Sequence, residues 1–308
     1  MHKKKNLLGL KDLSRQEIES ILQQATLFKE IFNRPVKKVP TLNNKILVSL
    51  FYEPSTRTKA SFDMAAKILG AGMVNFSVQT SSVKKGETLI DTVKNLESMG
   101  IDGIIIRHGN GGAPHLVSEK VNIPVINAGD GFNEHPTQAL LDIFTMIEEK
   151  GYIEGKKVTI IGDILHSRVA KSNIWGLKKL GADVVVCGPS SMIPAGIENM
   201  GVKVVHSVSD AIEDADFINV LRVQFERQKG NFFPSVREYY REYGITTKRL
   251  KKAKEDVVIM HPGPMNRGIE ISTEVADGPY NVILEQVKNG VAIRMAVLYK
   301  LLLRRTTE

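Results

Sequence analysis

Short apolar runs that alternate with helical patterns constrain the fold of this chain more than any other feature. The runs at 45–51, 103–107 and 158–163 are rich in isoleucine, valine or leucine, and they have the length of buried strands. Between such runs, apolar residues recur at three- and four-residue spacing, as at 56–69 and 136–149. Because consecutive parallel strands need a crossover connection, this alternation predicts parallel sheets covered by helices on both faces.

Two series of this kind predict an α/β protein with two doubly wound parallel-sheet domains. The first domain is predicted at 1–134 and the second at 151–282, with a connecting helix at 135–150. A C-terminal helix at 283–308 is expected to cross back and pack on the first domain. A chain of 308 residues is long enough for two domains of ordinary size.

The individual elements follow from periodicity and capping signals. Ser14 and Glu17 have the spacing of a capping box. Helices are predicted near 12–32, 56–69, 88–99, 113–120, 136–149, 168–180 and 283–303. Strands are predicted near 45–51, 73–78, 103–107, 124–127, 158–163, 183–187, 202–205, 217–221 and 257–260. Residues 223–246 are expected to form a long functional loop, and 248–254 a solvated helix. The apolar stripe of the last helix is expected to be buried: Val287, Val291, Met295, Leu298 and Leu302.

Composition limits the class of protein. Apolar residues make up 42% of the chain and charged residues 25%, as in soluble globular proteins. No apolar run is long enough to span a bilayer, and the basic N-terminus lacks a signal-peptide core, so a cytoplasmic location is expected. The single cysteine, Cys187, excludes an internal disulfide and is predicted to be a buried core residue.

The formal net charge of +8 is compatible with nucleic acid, an anionic membrane or small anionic substrates. No helix-turn-helix, zinc or RNP-type signature accompanies the basic residues. The sequence therefore predicts no nucleic-acid partner and no membrane partner. The histidines show no metal-ligand spacing and no cysteine cluster exists, so no metal and no cofactor are expected.

The segment Ser55, Thr56, Arg57 and Thr58 lies where the first apolar run gives way to a helical pattern. Free backbone N–H groups and the helix dipole favour an anion at such a place. Three hydroxyls and a guanidinium add donors that suit a phosphate. The alternative is an ordinary N-cap beside a surface arginine. Four consecutive donor side chains after a buried strand favour the anion site.

Seven motifs, in order and spacing, resemble those of the aspartate carbamoyltransferase catalytic chains. They are Phe-Tyr-Glu-Pro-Ser-Thr-Arg-Thr at 51–58, the segment 81–87, Arg107-His108, His-Pro-Thr-Gln at 135–138, Gly162-Asp163 with Arg168, Arg222-Val223-Gln224, and His-Pro-Gly-Pro at 261–264. The likeness covers nearly the whole chain. It implies transfer of a carbamoyl group from carbamoyl phosphate to the amine of L-aspartate without a cofactor, an early step of pyrimidine synthesis.

The resemblance assigns roles to single residues for carbamoyl phosphate. Thr58, Arg107 and His135 would surround the carbonyl oxygen as catalytic donors. The residues implied to bind carbamoyl phosphate are Ser55, Thr56, Arg57, Thr58, Arg107, His135, Gln138, Pro262 and Gly263. Gln138 and the carbonyls of Pro262 and Gly263 would hold the carbamoyl NH₂. Gly263 departs from family members that carry leucine after His-Pro.

For L-aspartate, the resemblance implies binding by Lys85, Arg168, Arg222 and Gln224. Arg168 would take the α-carboxylate and Arg222 the side-chain carboxylate. In this family, the loop with Ser81 and Lys85 reaches the neighbouring subunit, so a homotrimer with shared active sites is implied. Whether two trimers join through regulatory chains, or another pyrimidine-pathway enzyme binds, is left open by the sequence.

Three alternatives compete with this interpretation. An ornithine carbamoyltransferase would carry His-Cys-Leu-Pro where 261–264 read His-Pro-Gly-Pro, and a cationic substrate would be repelled by Arg222. A nucleotide-dependent dehydrogenase would need glycine spacing that 162–167 lack. A non-catalytic homologue acting as a scaffold is the third, although all the expected site residues are present.

Overall fold

Two parallel sheets organise the protein, one in each of two units. The computed structural model describes residues 6–77, 87–223 and 235–303. The first unit holds the described residues up to Leu140 and those from Lys288 onward, and the second holds Leu141–Val287. The alternation of strands and helices is the one that the sequence predicts.

The first unit contains a four-stranded sheet in the order β2-β1-β3-β4. Every neighbouring pair in it is parallel. Its strands are β1 (Ile46–Phe51), β2 (Gly72–Ser77), β3 (Gly103–His108) and β4 (Val125–Asp130). The helices of this part of the chain are α1 (Arg15–Lys29), α2 (Thr56–Leu69), α3 (Leu89–Ser98), α4 (Ala113–Lys120) and α5 (Pro136–Lys150), the last of which continues into the second unit.

Local sequence signals account for the ends of these helices. Ser14 and Glu17 form the predicted capping box at the start of α1. Helix α2 ends at Gly70, whose φ of 82° is the left-handed conformation that glycine adopts without a Cβ penalty. Five apolar residues of α1, at three- and four-residue spacing, are all buried: Ile18, Ile21, Leu22, Ala25 and Phe28.

The second unit contains a five-stranded parallel sheet in the order β7-β6-β5-β8-β9. Its strands are β5 (Lys157–Ile161), β6 (Asp183–Cys187), β7 (Lys203–Val205), β8 (Phe217–Val220) and β9 (Val258–Met260). The helices that follow α5 are α6 (Arg168–Lys179), α7 (Val208–Ile212), α8 (Val236–Tyr243), α9 (Thr247–Leu250), α10 (Thr273–Ala276) and α11 (Ile283–Leu302). Apolar side chains of β5, β6 and β8 are buried in the core.

Most of helix α11 belongs to the first unit, as predicted. The ring of Tyr299 packs edge-on against Phe28, with centroids 5.5 Å apart. Lys300 Nζ donates to Ser20 Oγ at 2.6 Å, and Arg294 Nη1 donates to Ser61 Oγ at 3.0 Å. These contacts join α11 to α1 and α2.

Three details of the predicted elements are wrong. Val287 is 52% exposed, because the inward face at the start of α11 is formed by Ile283 and Gln286, whereas the other four residues of the stripe are buried. Of the predicted loop at 223–246, residues 224–234 lie outside the described part of the chain, and the rest contains helix α8, which the buried Tyr239 anchors. The basic segment 248–254 is helical only through Leu250, which is buried.

Helix α11 is the longest helix among the described residues, with 20 residues. In the described parts of the chain, no helix combines the length and the apolar character needed to cross a membrane.

Candidate functional site

The predicted residues of the first unit follow strands β1, β3 and β4 at one edge of the sheet. The connection from β1 leads to β2 on one side, whereas β3 leads to β4 on the other, so the order reverses between β1 and β3. Open α/β sheets bind ligands outside the carboxyl ends of the strands at such a point. Ser55 to Thr58 follow β1, Arg107 lies near the end of β3, and His135 follows β4. The topology brings these residues to the same edge.

Helix α2 begins with an open N-terminus. Ser55 occupies the N-cap position, but its side chain makes no capping hydrogen bond, and the first turn contains no acidic residue. Thr56 and Arg57 are exposed, whereas Thr58 is buried. Since the first N–H groups of a helix have no partner within it, this end presents backbone and hydroxyl donors together. An anion such as phosphate matches that set.

Arg107 is held at this edge by its neighbours. It pairs with Phe51 in the register of β1 and β3. Its guanidinium donates through Nη1 to the carbonyl of Ala128 at 3.1 Å, and its Nε lies 3.5 Å from Glu53 Oε2. Glu53 lies in the first motif but has no predicted role. The ion pair with Arg107 indicates that Glu53 orients the guanidinium.

His108, the residue after Arg107, adds no second positive charge to this edge of the sheet at neutral pH. Its ring lies 4.8 Å from that of Tyr52, centroid to centroid, and its Nδ1 accepts the N–H of Asn110 at 2.9 Å. Burial lowers the pKa of His108, and the nearby carboxylate of Glu53 opposes the shift only in part. At neutral pH the local cation at this strand end is therefore Arg107.

His135 lies at the start of α5, after a turn that a buried carboxylate holds. The carbonyl of His135 accepts the N–H groups of Gln138 and Ala139 at 3.0 and 3.2 Å. The preceding carboxylate is Asp130, which is fully buried at the end of β4. It accepts four hydrogen bonds of 2.7–3.1 Å, from the N–H groups of Gly112 and Glu134 and the amides of Asn127 and Asn133. His135 thus begins its helix from a fixed turn.

A second buried carboxylate, Glu134, ties the same turn to the beginning of the chain. Its oxygens accept the N–H groups of Leu10 at 2.7 Å and Lys11 at 3.2 Å. A Cβ on Gly9 would lie 2.2 Å from Glu134 Oε1, so a larger residue at position 9 would displace this carboxylate. The sequence prediction includes neither Asp130 nor Glu134. The available signal was two acidic residues flanking a glycine-containing turn directly before the motif histidine.

In the second unit, the strand order reverses between β5 and β8. Arg168 follows β5 as the first residue of α6 and is only 3% exposed. Ser167 caps that helix, since its Oγ accepts the N–H of Ala170 at 3.1 Å. Between strand and helix, His166 Nδ1 lies 2.8 Å from Asp163 Oδ1. A closed cap and a buried contact between His166 and Asp163 therefore fix the backbone from which the Arg168 side chain extends.

Arg222 follows β8, the strand beside β5, and is half-buried. The next residue, Val223, is fully buried, and its carbonyl accepts the side-chain amide of Asn266 at 3.5 Å. The two predicted aspartate-binding arginines therefore come from adjacent strands at the point of reversal, where ligands of such sheets bind.

The turn at 261–263 follows β9 at the same edge. Gly263 has a φ of 63°, and the Gly263–Pro264 peptide bond is cis. The N–H of Gly263 donates to His261 Nδ1 at 2.8 Å. Among the described residues, no hydrogen bond reaches the carbonyl of Pro262 or of Gly263. Both carbonyls therefore keep their accepting capacity for another group.

The predicted residues Ser81, Lys85 and Gln224 lie outside the described residues. The remaining predicted residues lie at the carboxyl edge of one sheet or the other. A search of the described parts of the chain finds no group of three or more histidine, cysteine, aspartate or glutamate side chains placed to hold a metal ion.

Two family models match the chain almost end to end. Residues 5–148 match the carbamoyl-P binding domain of aspartate/ornithine carbamoyltransferase. Residues 154–301 match the Asp/Orn binding domain of the same family. The chain belongs to the aspartate/ornithine carbamoyltransferase family. The family recognised from the motifs is thereby confirmed.

Relatives within the family are similar along their full length. The aspartate carbamoyltransferase catalytic subunit of Endomicrobium trichonymphae is 58% identical over 294 residues, which cover 96% of this chain and 94% of the relative. The catalytic subunit of Moorella thermoacetica is 57% identical over 299 residues, with 97% of both chains covered.

Solved carbamoyltransferase structures share the fold. Aspartate transcarbamoylase of Trypanosoma cruzi with carbamoyl phosphate has a TM-score of 0.87 at 30% identity, covering 98% of this chain and 97% of the other. Ornithine carbamoyltransferase of Pyrococcus furiosus has a TM-score of 0.88 at 32% identity, covering 99% and 98%. These similarities confirm the predicted fold class. Because the two scores are nearly equal, the backbone does not distinguish the amine substrates.

Proposed function

We propose that the chain transfers the carbamoyl group of carbamoyl phosphate to the amine of L-aspartate, giving N-carbamoyl-L-aspartate and phosphate. One observation carries this proposal: two arginines, Arg168 and Arg222, follow adjacent strands of one sheet. A dicarboxylate calls for such a pair of cations, whereas ornithine would bring its own positive charge to them. The relatives at 58% and 57% identity carry the matching name.

The first unit would bind the phosphate. Ser55, Thr56, Arg57 and Thr58 offer hydroxyl, guanidinium and backbone donors at the open end of α2. Arg107, oriented by Glu53, would donate to the phosphate and to the carbonyl oxygen. This division matches the family model for residues 5–148, which describes a carbamoyl-P binding domain.

Three donors would stabilise the carbonyl oxygen as it becomes negative. They are Thr58, Arg107 and His135, of which the first and the last are buried. A preorganised donor to such an oxyanion contributes about 3–4 kcal/mol. The carbamoyl NH₂ would donate to Gln138 and to the unpartnered carbonyls of Pro262 and Gly263.

The second unit would bind aspartate, with Arg168 on the α-carboxylate and Arg222 on the side-chain carboxylate. Gln224 and Lys85 are assigned supporting roles by the family resemblance alone. The neutral amine attacks the carbonyl carbon, so a C–N bond forms and the C–O bond to phosphate breaks. The leaving phosphate takes the proton that the amine loses. Positioning and electrostatics supply the acceleration, without a covalent intermediate.

The test is product formation by the purified protein from carbamoyl phosphate with either L-aspartate or L-ornithine. We expect turnover with aspartate alone and its loss in Arg222→Ala. Arg241→Ala is the matched control, because Arg241 is an exposed arginine of the same unit that pairs with Glu242. Turnover with ornithine would overturn the assignment of the amine, and a folded protein inactive with both amines would overturn the reaction.

The assembly and setting are part of the same proposal. A homotrimer would share its active sites through Ser81 and Lys85. Two trimers joined by regulatory chains, and association with another pyrimidine-pathway enzyme, are both compatible with that trimer. The activity would serve pyrimidine synthesis in the cytoplasm. The domain limits at 134 and 282 and the connecting helix at 135–150 also stay proposals.

A further inference from the structure

A chain of buried hydrogen bonds reaches the turn at 261–263 from the interior of the second unit. The N–H of His261 donates to Gln286 Oε1 at 3.0 Å. Gln286 Nε2 in turn donates to Asp142 Oδ1 at 2.8 Å. Asp142 is fully buried, and Gln286 and His261 are 2% exposed. No solvent competes for these groups.

The Asp142 carboxylate decides which way the Gln286 amide faces. An ionised carboxylate only accepts hydrogen bonds, so the NH₂ of Gln286 must point at Asp142 and its oxygen at His261. The other oxygen of Asp142 accepts the side-chain amides of Asn173 at 2.8 Å and Asn219 at 3.4 Å. Gln286, Asn173 and Asn219 thus all donate to the carboxylate through their side-chain amides.

The ring of His261 fixes the other end of the turn. Its Nδ1 accepts the N–H of Gly263, so the ring proton lies on Nε2. That nitrogen lies 3.2 Å from Glu270 Oε1, an oxygen that also accepts the N–H of Asn266. The ring therefore spans the turn from Gly263 to Glu270 in one tautomer.

We propose that Asp142, Gln286 and Glu270 are positioning residues that aim the carbonyls of Pro262 and Gly263 at the NH₂ of carbamoyl phosphate. The inference rests on the proposed function and adds a source of specificity to it. The backbone N–H and both ring nitrogens of His261 hold the turn, whereas the two carbonyls accept no hydrogen bond from the described residues. Preference for a carbamoyl over an acetyl group on the same phosphate follows from those two acceptors.

The deciding variant is Asp142→Asn, which keeps the shape and removes the charge. The introduced amide would place its NH₂ against a neighbouring donor. The Gln286 amide could then rotate, so that its NH₂ instead of its oxygen faces the N–H of His261. The assay measures the KM of carbamoyl phosphate and the inhibition constant of acetyl phosphate, in which a methyl group replaces the NH₂. We expect the KM of carbamoyl phosphate to rise about tenfold. The inhibition constant of acetyl phosphate should rise less than twofold.

Asp216→Asn is the matched control. Asp216 is also a buried aspartate of the second unit, but it lies at the amino end of β8 and accepts the N–H of Lys157 at 2.9 Å and Lys254 Nζ at 2.8 Å. Asp216→Asn should lower the free energy of unfolding. It should leave unchanged the ratio of the KM of carbamoyl phosphate to the inhibition constant of acetyl phosphate. Equal weakening of both phosphates in Asp142→Asn, or no change in either, would overturn the inference.

If Asp142→Asn does not fold, Glu270→Gln tests the inference instead, because Glu270 contacts the ring of His261 at the other end of the turn. It should shift the same ratio in the same direction, and an unchanged ratio there would refute the positioning role. The proposed function fails separately, by the absence of carbamoyl transfer in the unaltered protein. If the unaltered protein is active and the variants keep the full preference for carbamoyl phosphate, the proposed function holds and this inference is refuted.

Discussion

The N-termini of helices α2 and α6 occupy equivalent places in the two sheets but are built in opposite ways. Each follows a strand at the point where the sheet order reverses, and each has a serine at its N-cap. Ser55 makes no capping hydrogen bond, whereas Ser167 accepts the N–H of Ala170. The residues after Ser55 are exposed, but Arg168, after Ser167, is buried.

This difference separates two ways of binding an anion. At α2, the helix end itself is left open, so its own N–H and hydroxyl groups would be the donors. At α6, the helix end is closed internally, and the guanidinium of its first residue, Arg168, would be the donor. The first arrangement suits a compact phosphate, and the second suits a carboxylate that must be held in one orientation.

The largest expected effect is that of Arg107→Ala in the first unit. Loss of one oxyanion donor lowers kcat by on the order of 10²–10³, and loss of a phosphate contact raises the KM of carbamoyl phosphate. Steady-state kinetics measure both, and circular dichroism checks the fold. A fall in aspartate binding alone would break the division between the two units.

Arg222→Ala is expected to act on the other substrate. Removal of a charge-assisted hydrogen bond to a carboxylate should raise the KM of aspartate on the order of 100-fold. Binding of carbamoyl phosphate to the free enzyme should change less than twofold, as equilibrium titration would report. If carbamoyl phosphate binding weakens as much as aspartate binding, the arginine does not discriminate between the substrates.

The paired variants Ser55→Ala and Ser167→Ala sharpen the comparison directly. Ser167→Ala removes a formed cap and should cost about 1 kcal/mol of the free energy of unfolding, whereas Ser55→Ala removes no capping bond and should cost almost nothing. Activity should show the reverse order, with the larger loss in Ser55→Ala. Chemical denaturation and initial rates on the same preparations provide both readings. Equal losses of stability would mean that the α2 cap is not open.

The smallest effect is expected at the native cysteine. Burial raises the pKa of Cys187 to about 12, so at pH 8 the thiol stays protonated and should not react with iodoacetamide in the folded protein. Ser55→Cys would add a thiol at an open helix N-terminus, which stabilises the thiolate. That variant should react, and inorganic phosphate should slow the reaction. Reaction of the unaltered protein would show that Cys187 is accessible.

Much of the fold was predictable because local signals and tertiary packing agree. The capping box at Ser14, the end of the helix at 56–69 and the apolar strands all appear where the sequence predicts them. Helix α8 was missed because its periodicity is aromatic and charged, and only Tyr239 is buried. Val287 was misjudged because the buried face at the start of α11 includes the polar Gln286, which an apolar stripe does not mark.

The site was predictable as far as its motifs reach. Arg107 and Arg168 were identifiable from motifs placed after apolar runs. Glu53 and Glu134 were not, because the groups on which they act are distant in sequence. Asp130 was missed although three of its four partners lie within four residues of it. Asp142 lies 144 residues from its partner Gln286, and no local pattern connects the two.

The central claim is that the first unit binds phosphate and the second binds the dicarboxylate. Titration calorimetry of inorganic phosphate, at constant ionic strength, tests it on Arg107→Ala and Arg222→Ala. The account predicts that phosphate binding weakens at least tenfold in Arg107→Ala and stays within twofold of the unaltered protein in Arg222→Ala. Equal weakening in both variants, or weakening in Arg222→Ala alone, would contradict it.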